Sequence, residues 1–134
     1  MLFQLNYKSA KAVYLQLVDQ VKAASASGVV RQGDPLPGIR TLAEELRVNR
    51  NTVAKAYAEL ESQGVVETLA GKGCFVRSNG SPFRKDVRRK LVAETIDDAV
   101  VHAHHLQIDK AEFLRLAEER FNDFERRRVR AATA

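Results

Sequence analysis

Apolar positions along the chain recur mostly at steps of three and four, with one stretch that alternates. Residues 1–11 mix polar and apolar side chains without helical period, and the run Phe3 to Tyr7 (FQLNY) fits either a short strand or an arm. From about Ala12 the period turns helical. Val13, Leu17, Val21 and Ala24 recur on one face, Tyr14 and Val18 widen it, and Gly28 is a natural stop. The segment VVRQGDPLPGIR contains Gly33, Pro35, Pro37 and Gly38, which predicts a turn that positions a new helix. Gly38 is a tolerable cap, and Ile39, Leu42, Ala43 and Leu46 then share one face of a short helix. After a break at Arg47 and Val48, Asn49 is placed to cap a third helix. Val53, Ala56, Tyr57 and Leu60 line its apolar face before Gly64 ends it. Two short helices with narrow apolar faces, parted by about three residues, form a helix-turn-helix pattern.

After Gly64 the pattern becomes strand-like. VVETLA, the glycine pair of GKG and then CFVR predict a β-hairpin with Lys72 at its tip, Gly71 and Gly73 permitting the positive φ of a tight loop. Three helices followed by a hairpin is the chain order of a winged helix. The run SNGSP, Ser78 to Pro82, predicts a joint. Beyond it, roughly residues 84–105 and 112–128 read as two helices, with Asp109 and Glu112 spaced as a capping box for the second. Leu114, Ala117, Phe121 and Phe124 follow the alternating steps of a helix that packs on another helix. Leu91, Thr95 or Ile96, Ala99, His102 or Ala103, and Leu106 form a looser stripe on the first tail helix. Two helices alone make a poor core, so these faces predict burial against the winged helix, against a second subunit, or against both. The expected fold is mainly α with a small β-hairpin wing: a winged helix-turn-helix over residues 1–78 and a two-helix dimerisation tail over 79–134.

Size and charge narrow the function. A chain of 134 residues holds one ordinary domain, or a small domain with a helical appendage, and leaves no room for a large catalytic domain. No stretch approaches the roughly 18 consecutive apolar residues of a membrane span, and the amino terminus lacks the pattern of a signal peptide. Cys74 is the only cysteine, so neither an internal disulfide nor a cysteine-based metal site is expected, in keeping with a reducing cytoplasm. The net charge of +5 favours an anionic partner. Placement must decide which, because residues 1–78 carry 10 Lys and Arg against 7 Asp and Glu, and residues 79–134 carry 12 against 10.

On the third helix, the face opposite Val53, Tyr57 and Leu60 presents Asn51, Lys55 and Ala58, with Arg50 and Thr52 at the amino-terminal end. Arg pairs with guanine, Asn with adenine and hydroxyls with phosphate, so this mixture suits a helix entering the major groove of double-stranded DNA. Small Ala54 and Ala58 allow close approach. An ordinary solvated face is the plainer account of the same residues. Arg40, just inside the second helix, fits either a phosphate at that helix start or an ion pair with Glu44. Lys72 fits either a groove contact or a solubilising charge.

These residues support a family resemblance. The run from Ala12 to Val76 resembles the GntR family of bacterial transcription regulators, above all in LP-x-x-R-x-LA-x-x-L (Leu36 to Leu46), VNRNTV-x-KAY-x-EL-x-x-G (Val48 to Gly64) and the G-x-G-x-FV wing (Gly71 to Val76). The resemblance implies Arg40, Arg50, Asn51, Thr52 and Lys72, with the Gly71 and Gly73 backbone, as DNA contacts. Two positions depart from the family pattern: Gly38 stands where Ser usually follows LP, removing a hydroxyl cap, and Cys74 replaces the usual Thr of the wing. The 56 residues after Ser78 are too few for the effector or aminotransferase-like domains of other branches and look like the YtrA-like tail. That implies a homodimer on a partly palindromic operator, often one controlling its own operon and transport genes.

His102 and His105 lie three apart on one helix face, but only Asp97, Asp98 or Asp109 are nearby as further ligands, so no metal site is expected. The basic runs Arg84 to Lys90 and Arg126 to Arg130 fit extra phosphate contacts or solvated helix ends. No nucleophile, base and orienting group share catalytic spacing, and no glycine-rich loop follows a strand, so neither an enzyme nor a cofactor is expected. A winged helix that docks proteins rather than DNA is the competing class, and a small-molecule effector between winged helix and tail is a further expectation for which no convergent polar site stands out.

Overall fold

The computed structural model describes residues 3–77 and 83–133, so the predicted joint from Ser78 to Pro82 lies outside the described residues. The chain divides into two compact units, Met1–Pro82 and Phe83–Ala134. The first contains α1 (Val13–Ser27), α2 (Ile39–Leu46), α3 (Arg50–Ser62), β1 (Val66–Leu69) and β2 (Gly73–Val76). The second contains α4 (Lys85–His105) and α5 (Lys110–Thr133). This is the expected mainly helical winged helix-turn-helix with a two-helix tail.

Local chemistry accounts for the helix limits. α1 closes on Gly28 in the left-handed region at φ 82°, its N–H donating to the Ser25 carbonyl. α3 opens on Asn49, whose side chain accepts the Asn51 N–H at 2.7 Å. α2 has no side-chain cap, because Gly38 offers none. Leu17, Val18 and Val21 of α1, Leu42 and Ala43 of α2, and Val53, Ala56, Tyr57 and Leu60 of α3 are buried in one cluster with Leu36, Val66 and Val76. Ile39 departs from the expected core face: as the first residue of α2 it is 38% exposed.

The sheet is wider than the hairpin that the sequence predicts. β1 and β2 pair antiparallel with Val66 opposite Val76 and Leu69 opposite Gly73. On the other edge of β2, the turn before α2 adds strand-like bonds: Leu36 N–H to the Cys74 carbonyl, Gly33 N–H to the Val76 carbonyl and Val76 N–H to the Asp34 carbonyl, each 2.8 Å. Covering that edge satisfies backbone groups that would otherwise invite another strand, and it ties the start of α2 to the wing.

Residues 3–11 form a docked arm rather than a strand. The Gln20 side chain accepts the Gln4 N–H and donates to the Gln4 carbonyl, while Gln16 does the same for Asn6, over distances of 2.7–3.0 Å. Four helical residues rise about 6 Å and two extended residues about 6.6 Å, so the two glutamines match the pitch of the arm. Phe3 and Leu5, alternating with the clamped residues, pack on the core. At the arm's far end the Tyr7 hydroxyl donates to the Leu46 carbonyl at the end of α2.

In the second unit, Asp109 caps α5 as its spacing predicts, its carboxylate accepting the Glu112 N–H at 2.9 Å. The helix starts at Lys110 and runs to Thr133, longer at both ends than the apolar period indicates. Among the described residues only Ala103 is buried here. Leu91, Ala99, Leu106, Leu114, Ala117 and Phe121 are exposed and Phe124 is half-buried, and α4 and α5 make no extensive packing face to face. Among the described residues no helix is long and apolar enough to cross a membrane.

Candidate nucleic-acid interface

The turn between α2 and α3 sets how α3 is presented. Arg47 adopts φ 56° and ψ 45°, a left-handed conformation that costs a non-glycine residue roughly 1 kcal/mol. Its N–H donates back to Ala43 and Glu44, and the Val48 N–H reaches the Ala43 carbonyl at 3.0 Å. With Tyr7 on the Leu46 carbonyl, the end of α2 is well supplied with partners. Arg50 is then the first helical residue of α3, and both Arg50 and Asn51 are exposed, with Thr52 half-buried beside them.

Lys55 takes a direction that the helical wheel does not show. Its ammonium lies 4.1 Å from the centre of the Tyr14 ring on α1, a cation–π contact worth about 0.5–1 kcal/mol at an exposed site. Arg40 is exposed near the start of α2 and makes no ion pair with Glu44.

At the wing, Gly71 and Gly73 have φ of 73° and 108°, and the Lys72 N–H closes the loop on the Leu69 carbonyl at 2.9 Å. A Cβ at either glycine would meet nothing within 4 Å, so conformation rather than space selects glycine there. Lys72 is exposed.

Wing, α3 and the turn before α2 enclose an open cleft of about 440 Å³, bordered by Gly38, Ile39, Ala54, Ala58, Lys72 and Cys74. The wing tip and the outward face of α3 therefore flank one concavity. Its inner wall is braced by Tyr57, whose hydroxyl donates to the Pro37 carbonyl at 2.7 Å. Burial pushes this phenol up from its ordinary range, and the nearby Cys74 thiol adds to the push. Thr68 donates to Glu61 at 3.1 Å, linking β1 to α3. Burial also raises the Cys74 thiol; the Thr68 hydroxyl lowers it, Glu61 raises it and its backbone contact with Phe75 lowers it, leaving it protonated at neutral pH.

Arg40, Arg50, Asn51, Thr52, Gly71, Lys72 and Gly73 thus all stand on the helix-turn-helix or the wing, with Lys55 turned to the α1 flank. The sequence reading missed the arm clamp, the Tyr7 and Tyr57 hydroxyl bonds and the Thr68–Glu61 link. Gln16 and Gln20, four apart beside the apolar stripe, were the visible signal for the first. Elsewhere, His104 and His105 stack edge to face at 5.5 Å, and among the described residues no group of three His, Cys, Asp or Glu side chains is placed to hold a metal ion.

A helix-turn-helix whose second helix carries Arg and Asn on its free face, beside a lysine-tipped wing, defines a winged-helix DNA-binding regulator. Comparison with known proteins gives the family. Residues 13–76 match the bacterial regulatory proteins of the gntR family. The chain is 32% identical over 108 residues to the HTH-type transcriptional repressor YtrA of Bacillus subtilis (strain 168), spanning 81% of this chain and 83% of that protein. Among solved structures it is similar to a transcriptional antiterminator from Listeria monocytogenes EGD-e, with 31% identity, 92% of each chain covered and a TM-score of 0.77. It is also similar to YtrA from Sulfolobus acidocaldarius, a GntR-family transcription factor, with 28% identity, 90% and 97% covered and a TM-score of 0.64. The chain belongs to the gntR family of bacterial regulatory proteins, in its YtrA-like branch.

Proposed function

We propose that the chain is a homodimeric repressor acting in the cytoplasm, whose two copies of α3 read the half-sites of a partly palindromic operator. The observation that carries the DNA contacts is the set of exposed donors on the helix-turn-helix and the wing: Arg50 and Asn51 open α3 and face solvent, and Lys72 on the wing borders the cleft whose walls Gly38, Ala54 and Ala58 keep small. In this reading Arg50 and Asn51 address base edges, and Arg40, Thr52, Lys72 and the Gly71 and Gly73 backbone hold phosphates. Lys55 contributes by leaving Tyr14 for the backbone. Residues 1–78 form the DNA-binding domain and 79–134 the dimerisation tail. The exposed stripes through Leu91, Ala99 and Leu106 and through Leu114, Ala117 and Phe121, the latter continued by half-buried Phe124, support a second copy as their cover. Repression follows the name of the Bacillus relative.

Arg50→Ala tests the reading helix. Specific operator binding is expected to vanish while the fold and the dimer persist; unchanged affinity at physiological salt overturns the assignment. Selection from a random duplex pool supplies the operator, and half-site spacing near one helical turn or its multiples supports the dimer. Sedimentation of a monomer at micromolar concentration overturns the dimer.

A further inference from the structure

The chain carries two strongly basic runs, and the structure treats them differently. Near the end of α5, Arg126 and Arg127 close on Asp123 at 3.6 and 3.2 Å, and Arg120 adds a third contact at 3.4 Å. That run is partly neutralised within its own helix. At the start of α4, Arg84, Lys85, Arg88, Arg89 and Lys90 share seven residues with one acid, Asp86, so five cations and one anion leave a net charge of +4. All are exposed. Arg84 meets Asp86 at 3.7 Å, whereas Lys85, Arg88, Arg89 and Lys90 have no acidic partner among the described residues. Helix stability does not account for the cluster, because cations are mildly unfavourable at the amino-terminal end of a helix.

We propose that the first two turns of α4 are an auxiliary contact for DNA phosphates flanking the half-site read by α3, an inference that rests on the DNA-binding reading above. Covalent reach permits it. Arg84 follows Val76, the last residue of β2, by eight residues, which limits their separation to roughly 28 Å. With the wing on a duplex that carries a phosphate about every 3.4 Å along each strand, backbone lies within that radius. The residue types define the contact. Residues 84–90 are Arg, Lys, Asp and Val, with no Asn, Gln, Ser or Thr, so the surface is chiefly positive charge, the chemistry of a phosphate contact.

The test uses the full chain, the triple variant Arg88→Gln, Arg89→Gln, Lys90→Gln and the single variant Asp86→Asn. Binding is measured by anisotropy from about 50 to 200 mM salt. The duplexes are the minimal operator, the operator extended by about one helical turn on each side, and an unrelated duplex of the same length. Lys85, Arg88 and Arg89 border Val92, Ala93 and Ile96 on α4, so dimer mass is checked by sedimentation; Asp86→Asn removes no residue of that border. Wild type should bind the extended duplex more tightly than the minimal one, and the triple variant should lose that advantage. Its slope of log affinity against log salt should fall by about 2–3 per protomer, at 0.9 per phosphate lost, with unchanged preference for operator over unrelated minimal duplex. Asp86→Asn should tighten binding to the extended duplex. Equal slopes and equal flank dependence in wild type and triple variant overturn the proposal, and if the triple variant then loses binding to a single-stranded RNA of equal length, the surface is reassigned to RNA. A wild type that binds no duplex overturns the underlying reading instead.

Discussion

Replacing Tyr57 with Phe removes one hydroxyl from the junction between α3 and the turn entering α2. That hydroxyl donates to the Pro37 carbonyl at 2.7 Å, on a residue only 6% exposed. Such a bond contributes about 0.5–1.5 kcal/mol net, and a buried carbonyl left without a donor costs up to about 3 kcal/mol. Pro37 is half-buried and borders an open cleft, so water can take over from the lost donor and the cost should stay near 1 kcal/mol. In a unit of about 80 residues this lowers Tm by about 4–8 °C. The pH dependence separates the hydroxyl from the ring. Burial raises the Tyr57 phenol, with Cys74 a smaller cause, so the folded chain keeps this proton at pH values where the unfolded chain, with a phenol near 10, gives it up. The stabilisation is fully present below about pH 10 and declines by up to about 1.4 kcal/mol per pH unit above it, until the folded value is passed. Wild type should therefore lead Tyr57→Phe by about 1 kcal/mol at pH 7, and the lead should close near pH 11 and then reverse. Urea titrations followed through the methyl resonances of Val53 and Leu60 read this unit alone. A lead that stays constant across that range refutes the argument, since the phenol would then ionise alike in both states.

Three further outcomes follow from the same geometry. In the double variant Gln16→Ala, Gln20→Ala, amide exchange at Gln4 and Asn6 should rise by about tenfold or more while core amides of α3 keep their protection; unchanged exchange would mean that Phe3 and Leu5 alone hold the arm. Gly38→Ser should gain a few tenths of a kcal/mol from the added cap and tighten operator binding, because Gly38 has an ordinary φ of −59° and a Cβ there meets only the Thr41 hydroxyl at 3.8 Å; weaker binding would show that the hydroxyl obstructs the cleft. Leu60→Ala, at a position with no exposure, should cost about 2–5 kcal/mol in a denaturant titration, and a loss below about 1 kcal/mol would mean that the site collapses around the missing side chain.

The limits of the helices were legible because their causes are local. Gly28, Asn49 and Asp109 act on atoms within a few residues of themselves, so each reads directly from its neighbours. The arm did not read that way: its partners Gln16 and Gln20 lie ten and sixteen residues away from the groups they bind, and two glutamines four apart on a helix look like solvent-facing residues. Ile39 shares a wheel position with Leu42, but the first turn of α2 opens onto the cleft. Lys55 is outward on the wheel, yet its long side chain bends back to Tyr14. The tail stripes were visible as patterns, but a stripe reports that a face is apolar and not what covers it.

The placement of the tyrosines has an optical consequence. Tyr7, Tyr14 and Tyr57 are the only tyrosines, the chain has no tryptophan, and Phe83, Phe113, Phe121 and Phe124 supply the aromatic rings of the second unit. Intrinsic tyrosine emission therefore originates wholly in the first unit, at three junctions: the Leu46 carbonyl, the Lys55 ammonium and the Pro37 carbonyl. Far-UV ellipticity weights the second unit instead, because α4 and α5, of 21 and 24 residues, outweigh α1, α2 and α3, of 15, 8 and 13. Melting the unlabelled protein with both signals recorded together compares the first unit with a signal weighted toward the second, and transitions that do not coincide would show that the two units unfold in separate steps.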